Sequence, residues 1–245
     1  MQTMMTLLRL AALSLAAFAL DGPAQANGDL RQSYTISVAG LKIGTMELAV
    51  NTSGDRYTAR GRVQGGGLVG AFLKVSFDGT SSGTIRSDGT LRPAVYRATS
   101  GTGDRARDVE MRYTSGTPST VVFQPPRRAP RPWDVTPGSQ GGTVDPISAS
   151  YDILRDHPIG AACDRVIRIF DGARGSQIRI GPRRDEGTNS TCAGVYTRGA
   201  GFSPKRLAEQ TNFEFVLHFD RSTGMMRVTR FELDSILGQA VARRR

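Results

Sequence analysis

Apolar and polar residues alternate along most of this chain with a period of two, the pattern of strands that bury one face. In SYTISVAGLKIGTMELAV, residues 33–50, Tyr34, Ile36 and Val38 fall on one face, and Ile43, Met46, Leu48 and Val50 make the next strand if a small irregularity near Thr45 shifts the phase. The stretch predicts two paired strands around a turn shaped by Gly40 and Gly44, a scaffold element without ligand chemistry. DRYTARGRV, AFLKVSFDGTSSGTIR, LRPAVYRAT, RDVEMRYT and STVVFQ continue the pattern, with TSG, SDG and TSGTGD as turns. A meander of this length must close or curl, because long open antiparallel sheets expose edges that pair with other chains.

The alternation stops at PPRRAPRPWDVTPGSQGGT, residues 125–143, where too many prolines remove donors from any ladder. This predicts a long loop. It reads either as an irregular excursion whose Trp133 packs back on the sheet, or as a basic recognition segment with Arg127, Arg128, Arg131 and Trp133 as partner-binding residues. DPISASYDILRD then predicts a helix, with Asp145 as N-cap, Pro146 at the first helical position, and Ile147, Tyr151 and Ile153 or Leu154 facing inward to plug or cover the sheet. CDRVIRIFDGARGSQIRIG predicts strand, turn and strand, with Val166, Ile167, Ile169 and Phe170 as apolar surface. Further strands follow at 192–198, NFEFVLHFD and MMRVTRFELDSIL. In NFEFVLHFD, Phe213, Phe215, Leu217 and Phe219 share one face, which leaves His218 on the other, exposed and without an obvious partner. Residues 240–245 read as a basic tail. The fold class expected is mainly β: a single domain of curled antiparallel sheet, an open or partly closed barrel, with one short helix and a Pro-rich loop.

The N-terminus changes the picture of compartment. LLRLAALSLAAFAL is an apolar run that ends at DGPAQAN, where Ala24 and Ala26 supply a small-residue cleavage site. The run falls short of the roughly 18 to 20 apolar residues that a spanning helix needs. Residues 1–26 are therefore read as a signal peptide and 27–245 as one β-rich domain in the periplasm, not membrane-spanning after cleavage; retention as an anchor is the alternative. The formal charge is +10, which for an exported protein attracts lipid headgroups, lipopolysaccharide or acidic glycans before nucleic acid. Cys163 and Cys192 are the only cysteines, and an even pair in an oxidising compartment reads as one disulfide. A reactive thiol working with His157 or His218, or a zinc site of the same four residues, is the rival, but the spacings lack close paired ligands.

Known catalytic signatures are weak. GGGLVG, residues 65–70, matches the dinucleotide-binding pattern in letters, yet the chain continues as a strand where that site needs a helix, and a bend in a curled sheet explains the glycines. The carboxylates form no distinctive pair, and no G-x-S-x-G elbow is present. The order SYTISVAGLKIGTMEL, DGTLRPAVY, a Pro-rich loop leading to DPISASYDILR, then VIRIFDGAR resembles the DUF3108 family of exported bacterial proteins of unknown function, over about residues 32–235. That resemblance implies an envelope location and a β-rich fold, and transfers no catalytic residue. The function expected is a non-catalytic envelope protein, without cofactor or metal, that binds a protein partner or an anionic polymer through its outer surface. The alternative is a carrier of a lipid or other apolar ligand in the concave face of the sheet. A side-chain-filled interior favours the first, and a hollow apolar cavity of several hundred Å³ the second.

Overall fold

The computed structural model describes residues 28–66, 75–103, 105–127, 130–235 and 238–245. In the first half the strands are Gly28–Val38 (β1), Leu41–Ser53 (β2), Arg56–Gly65 (β3), Val75–Ile85 (β4), Leu91–Thr102 (β5), Arg105–Thr114 (β6) and Thr117–Gln124 (β7). The helix Pro146–Leu154 (α1) and the two-residue strand His157–Pro158 (β8) follow. The second half holds Arg165–Phe170 (β9), Gly175–Glu186 (β10), Asn189–Arg198 (β11), the short helix Pro204–Glu209 (α2), Asn212–Asp220 (β12), Met225–Ser235 (β13) and Gly238–Arg244 (β14). One antiparallel sheet runs in the order β7-β6-β5-β4-β3-β2-β1-β14-β13-β12-β11-β10-β9, with β8 paired to β13 off this path. The sheet is mainly built of neighbours in sequence, since tight turns reverse the chain: Val38 pairs with Leu41 across Ala39 and Gly40, both at positive φ.

Three features differ from the sequence reading. The irregularity in β2 is a bulge at Ile43, because Ile36 pairs with Gly44 and Ser37 with Lys42. Gly44 is accordingly not part of the turn; it sits in the strand, where a Cβ would lie 2.4 Å from the Gln64 carbonyl oxygen. Val166 is 47% exposed and contributes no core surface. Most consequential, residues 240–244 are no tail but belong to β14, which pairs with β1 on one side and β13 on the other. Its inward positions are Ala240 and Ala242, opposite Leu233 and Phe231, and Arg244, opposite buried Tyr34, so the apolar alternation is muted by small side chains and by an arginine.

The sheet curls around α1. Ile147 of the helix enters a groove left by Gly61 and Gly79, register partners on β3 and β4; a Cβ at Gly61 would meet its Cδ1 at 2.6 Å. Ile147, Tyr151 and Leu154 are buried with Tyr34, Leu48, Tyr57, Tyr96 and Met111 from the first half of the sheet, each large side chain contributing about 1.5–3 kcal/mol by removal from water. The two sheet edges, β7 and β9, do not pair. Residues 142–144 bridge them, Gly142 N donating to Gly116 O at 3.0 Å and Val144 exchanging bonds with Arg168 and Phe170 at 2.9 Å.

Asp145 fixes the helix in place. Fully buried, its Oδ1 accepts from the backbone amides of Ile147 and Ser148, and its Oδ2 from the hydroxyls of Ser148 (2.6 Å) and Ser81 of β4 (2.7 Å). Tyr57 of β3 joins through a 2.7 Å contact with the Ser148 hydroxyl. Burial pushes the carboxyl above its usual range, while these four donors pull it back. Asp145→Ala removes the cap and the shared acceptor of two buried hydroxyls, and is expected to lower unfolding stability by about 3 kcal/mol in urea denaturation. Ser150→Ala, which deletes only a bond to the Pro146 carbonyl, serves as the control; equal losses in the two variants would refute the anchoring role.

Candidate binding cleft

The inward positions of the second half line up in ranks across the strands. Ile178 pairs with Tyr196, and Tyr196 with Phe213. Ile180 pairs with Gly194, Gly194 with Phe215, and Phe215 with Leu233. Gly194 lets the Phe215 ring lie across β11, since a Cβ there would come within 2.2 Å of that ring. Phe215 and Phe231 stack tilted at 5.3 Å between centroids, and Tyr196 meets Phe213 edge-on at 5.9 Å.

Between these ranks and Ile153 of α1 lies a cleft of about 510 Å³. Phe215 is buried at its base, while Ile178, Tyr196, Phe213, Phe231 and Leu233 are only half-buried. Its rim carries Phe202, from the turn before α2, and two guanidinium groups. Arg174 lies over the Phe202 ring at 5.2 Å and pairs with Asp171 at 3.1 Å. Arg198 lies over Phe213 at 4.6 Å and Phe202 at 5.5 Å, and its Nη1 donates to the carbonyls of Arg206 and Gln210. The Asp171 carboxylate also accepts from the amides of Ala173 and Arg174, so it is engaged as a turn cap.

The opposite end of the curled sheet is closed by polar groups that satisfy one another. Asp152 at the end of α1 holds Arg155 at 2.8 Å and Arg165 of β9 at 2.7 Å, and Arg155 reaches the Gly89 carbonyl at 2.8 Å. Gln32 donates to the Leu154 carbonyl at 2.8 Å and accepts from Tyr34, whose hydroxyl burial pushes up to about 12, so that it remains a donor. His157 is buried, and its Nε2 lies 2.7 Å from the Asp152 carbonyl and 3.2 Å from Arg165 Nη2. Burial, with Arg165 and Arg155 close by, lowers its pKa to about 4. A second cavity of about 570 Å³ lies against this cluster, but two of its three arginines, Arg155 and Arg165, are already bound to Asp152.

The residues singled out in the sequence do not gather at either end. Arg127 pairs with Asp134 and lies over Phe123 at 5.5 Å, Arg131 lies over half-buried Trp133 at 5.8 Å, and Arg128 falls outside the described residues. So do residues 1–26 and 67–74, which hold the signal segment and most of GGGLVG. His218 is not a partnerless exposed histidine: it is half-buried, 3.3 Å from Glu232 and 3.2 Å from Arg230, because β13 places Arg230 opposite it and Glu232 diagonally, opposite Val216. Cys163 and Cys192 are bonded to each other, Cα to Cα 6.0 Å, across β10, which removes both the thiol and the zinc readings. Among the described residues no group of three or more His, Cys, Asp or Glu is gathered, and no helix is long and apolar enough to cross a membrane. Sequence reasoning held an apolar site in the concave face as its alternative but missed Phe202, Arg198 and which strands line the cleft. The signal was present as a surplus of inward aromatic positions in the second half that one nine-residue helix could not cover.

Fold and cleft together define a class of single-domain protein in which an open, curled antiparallel sheet wraps one short helix and leaves part of its concave face uncovered. Residues 33–209 match the family described as a protein of unknown function (DUF3108), and the chain belongs to that family. The matched span ends before β12 and β13, which supply one wall of the cleft. No curated protein and no solved structure matches the chain.

Two measurements check this chemistry. Alkylation of the unfolded, unreduced protein is expected to label neither cysteine, and reduction to lower stability by about 3 kcal/mol; two labelled thiols would refute the bond. For His157, the unfolded chain takes up its proton near pH 6.5 and the folded chain only near 4. Stability therefore falls as pH drops through that window, by up to about 3 kcal/mol. His157→Gln should flatten this part of the pH profile relative to the parent chain, and parallel profiles would refute the assignment.

Proposed function

We propose that this protein is an exported carrier that holds an apolar chain in the concave face of its sheet, acting by binding and without turnover. The observation that carries the proposal is the cleft of about 510 Å³, lined by half-buried aromatic and aliphatic side chains that a filled core would have covered. Its size lies within the range of small-molecule sites. The one carboxylate at its rim is committed to two amides and Arg174, which argues against a general base there. The buried disulfide supports an oxidising compartment, consistent with export to the periplasm. Docking of an anionic partner on the outer face is the second reading, since Arg60 and Arg62 converge on Asp78, and Arg97 and Arg112 on Glu110, each set keeping one net positive charge.

A delipidated preparation titrated with a fluorescent fatty-acyl probe is expected to bind it at one site. Leu233→Asp, which introduces a charge at a half-buried wall position away from the rim arginines, should weaken binding at least tenfold in a variant that still unfolds cooperatively, because burying an unpaired carboxylate against a chain is unfavourable by more than about 1.4 kcal/mol. Absence of probe binding to the parent chain, or equal binding by parent and variant, would refute the carrier.

A further inference from the structure

The two ends of the cleft differ in kind. Its base is aromatic and carries no charge, whereas its rim gathers Arg174, Asp171 and Arg198. Arg174 and Asp171 neutralise each other at 3.1 Å. Arg198 is compensated only by carbonyl dipoles: its Nη1 is held by the Arg206 and Gln210 oxygens, and among the described residues no carboxylate pairs with it. The rim therefore presents one net positive charge. That charge is also fixed in direction, because the guanidinium is clamped at the end of α2 on one side and lies against the rings of Phe213 and Phe202. Rings on which a guanidinium stacks shield it from water without cancelling its charge, and a fork so oriented has donors left for a carboxylate or phosphate oxygen.

Resting on the carrier reading, we infer that the ligand is an amphiphile with a single negative charge, its chain laid over Phe213, Phe215 and Phe231 and its headgroup oxygens bound by Arg198. An uncharged chain would leave the Arg198 charge facing an apolar occupant, and a cationic one would be repelled by it. Arg198 thus sets specificity for the head, while the aromatic ranks set affinity for the tail.

Three probes sharing one chain separate these roles: dodecanoate, dodecanol and dodecyltrimethylammonium, each competed against the fluorescent probe at pH 7.5. Dodecanoate is expected to bind at least tenfold more tightly than dodecanol, as a charge-assisted hydrogen bond predicts, and the ammonium compound more weakly than either. Arg198→Gln should bring dodecanoate down to the level of dodecanol without weakening dodecanol binding; the retained dodecanol binding reports that α2 and the cleft remain in place. Arg198→Lys, which keeps the charge and loses the fork, should retain part of the preference. Equal affinity for acid and alcohol in the parent chain would overturn the inference and leave the carrier standing. Parallel losses for both ligands in Arg198→Gln and Arg198→Lys would overturn it in favour of a structural role for Arg198. Failure of every chain to bind would remove the carrier reading and this inference together.

Discussion

The buried carboxylate of Asp145 decides where the one interior helix among the described residues lies. Its four hydrogen bonds tie the first turn of α1 to Ser81 on β4, and through Ser148 to Tyr57 on β3. A carboxylate without water is tolerated only with its lone pairs occupied, so the helix N-terminus cannot slide along the sheet without breaking the set. From that pinned start a helix of nine residues spans only about 14 Å. It covers the concave face of the first half of the sheet and presents Ile153 alone to the cleft. The cleft is the remainder.

Polar closure at one end and an aromatic opening at the other give the curled sheet a direction. Asp152, Arg155, Arg165 and His157 fasten the C-terminal end of α1 to β9 and to the turn at residue 89. With that end locked and the edges bridged by residues 142–144, the uncovered apolar surface faces the end where Phe202 and Arg198 stand. Shape, polarity and the net charge of the rim thus point the same way, which is the basis for reading the cleft as a site and not as a packing fault.

Much of this fold was legible in the sequence because its signals are local. Alternation, turn glycines and the Asp145-Pro146 start of α1 each depend on neighbours a few residues apart. The bulge at Ile43 was anticipated two residues away, since only a phase shift reconciles Ile43 with Met46 and Leu48. What escaped is non-local. Gly61 and Gly79 look like weak points in strands until Ile147 is placed against them, and Gly44 looks like a turn residue until β3 is laid beside it. The cleft required knowing which inward positions the helix would reach. β14 escaped for a chemical reason: two alanines and three consecutive arginines at residues 243–245 carry almost no apolar contrast.

That final strand places the seam of the sheet at its centre. β1 and β14 are drawn from regions some 210 residues apart, yet they lie side by side, with six strands beyond β1 and five beyond β14 on the sheet path. Two meanders, each able to propagate through short turns, are thereby joined along a junction that must wait for the largest loop closure in the molecule. Without the β1–β14 pairing the path would divide into two sheets with four edges; that one junction, made by a strand whose only apolar residues are Ala240, Val241 and Ala242, reduces them to two, β7 and β9.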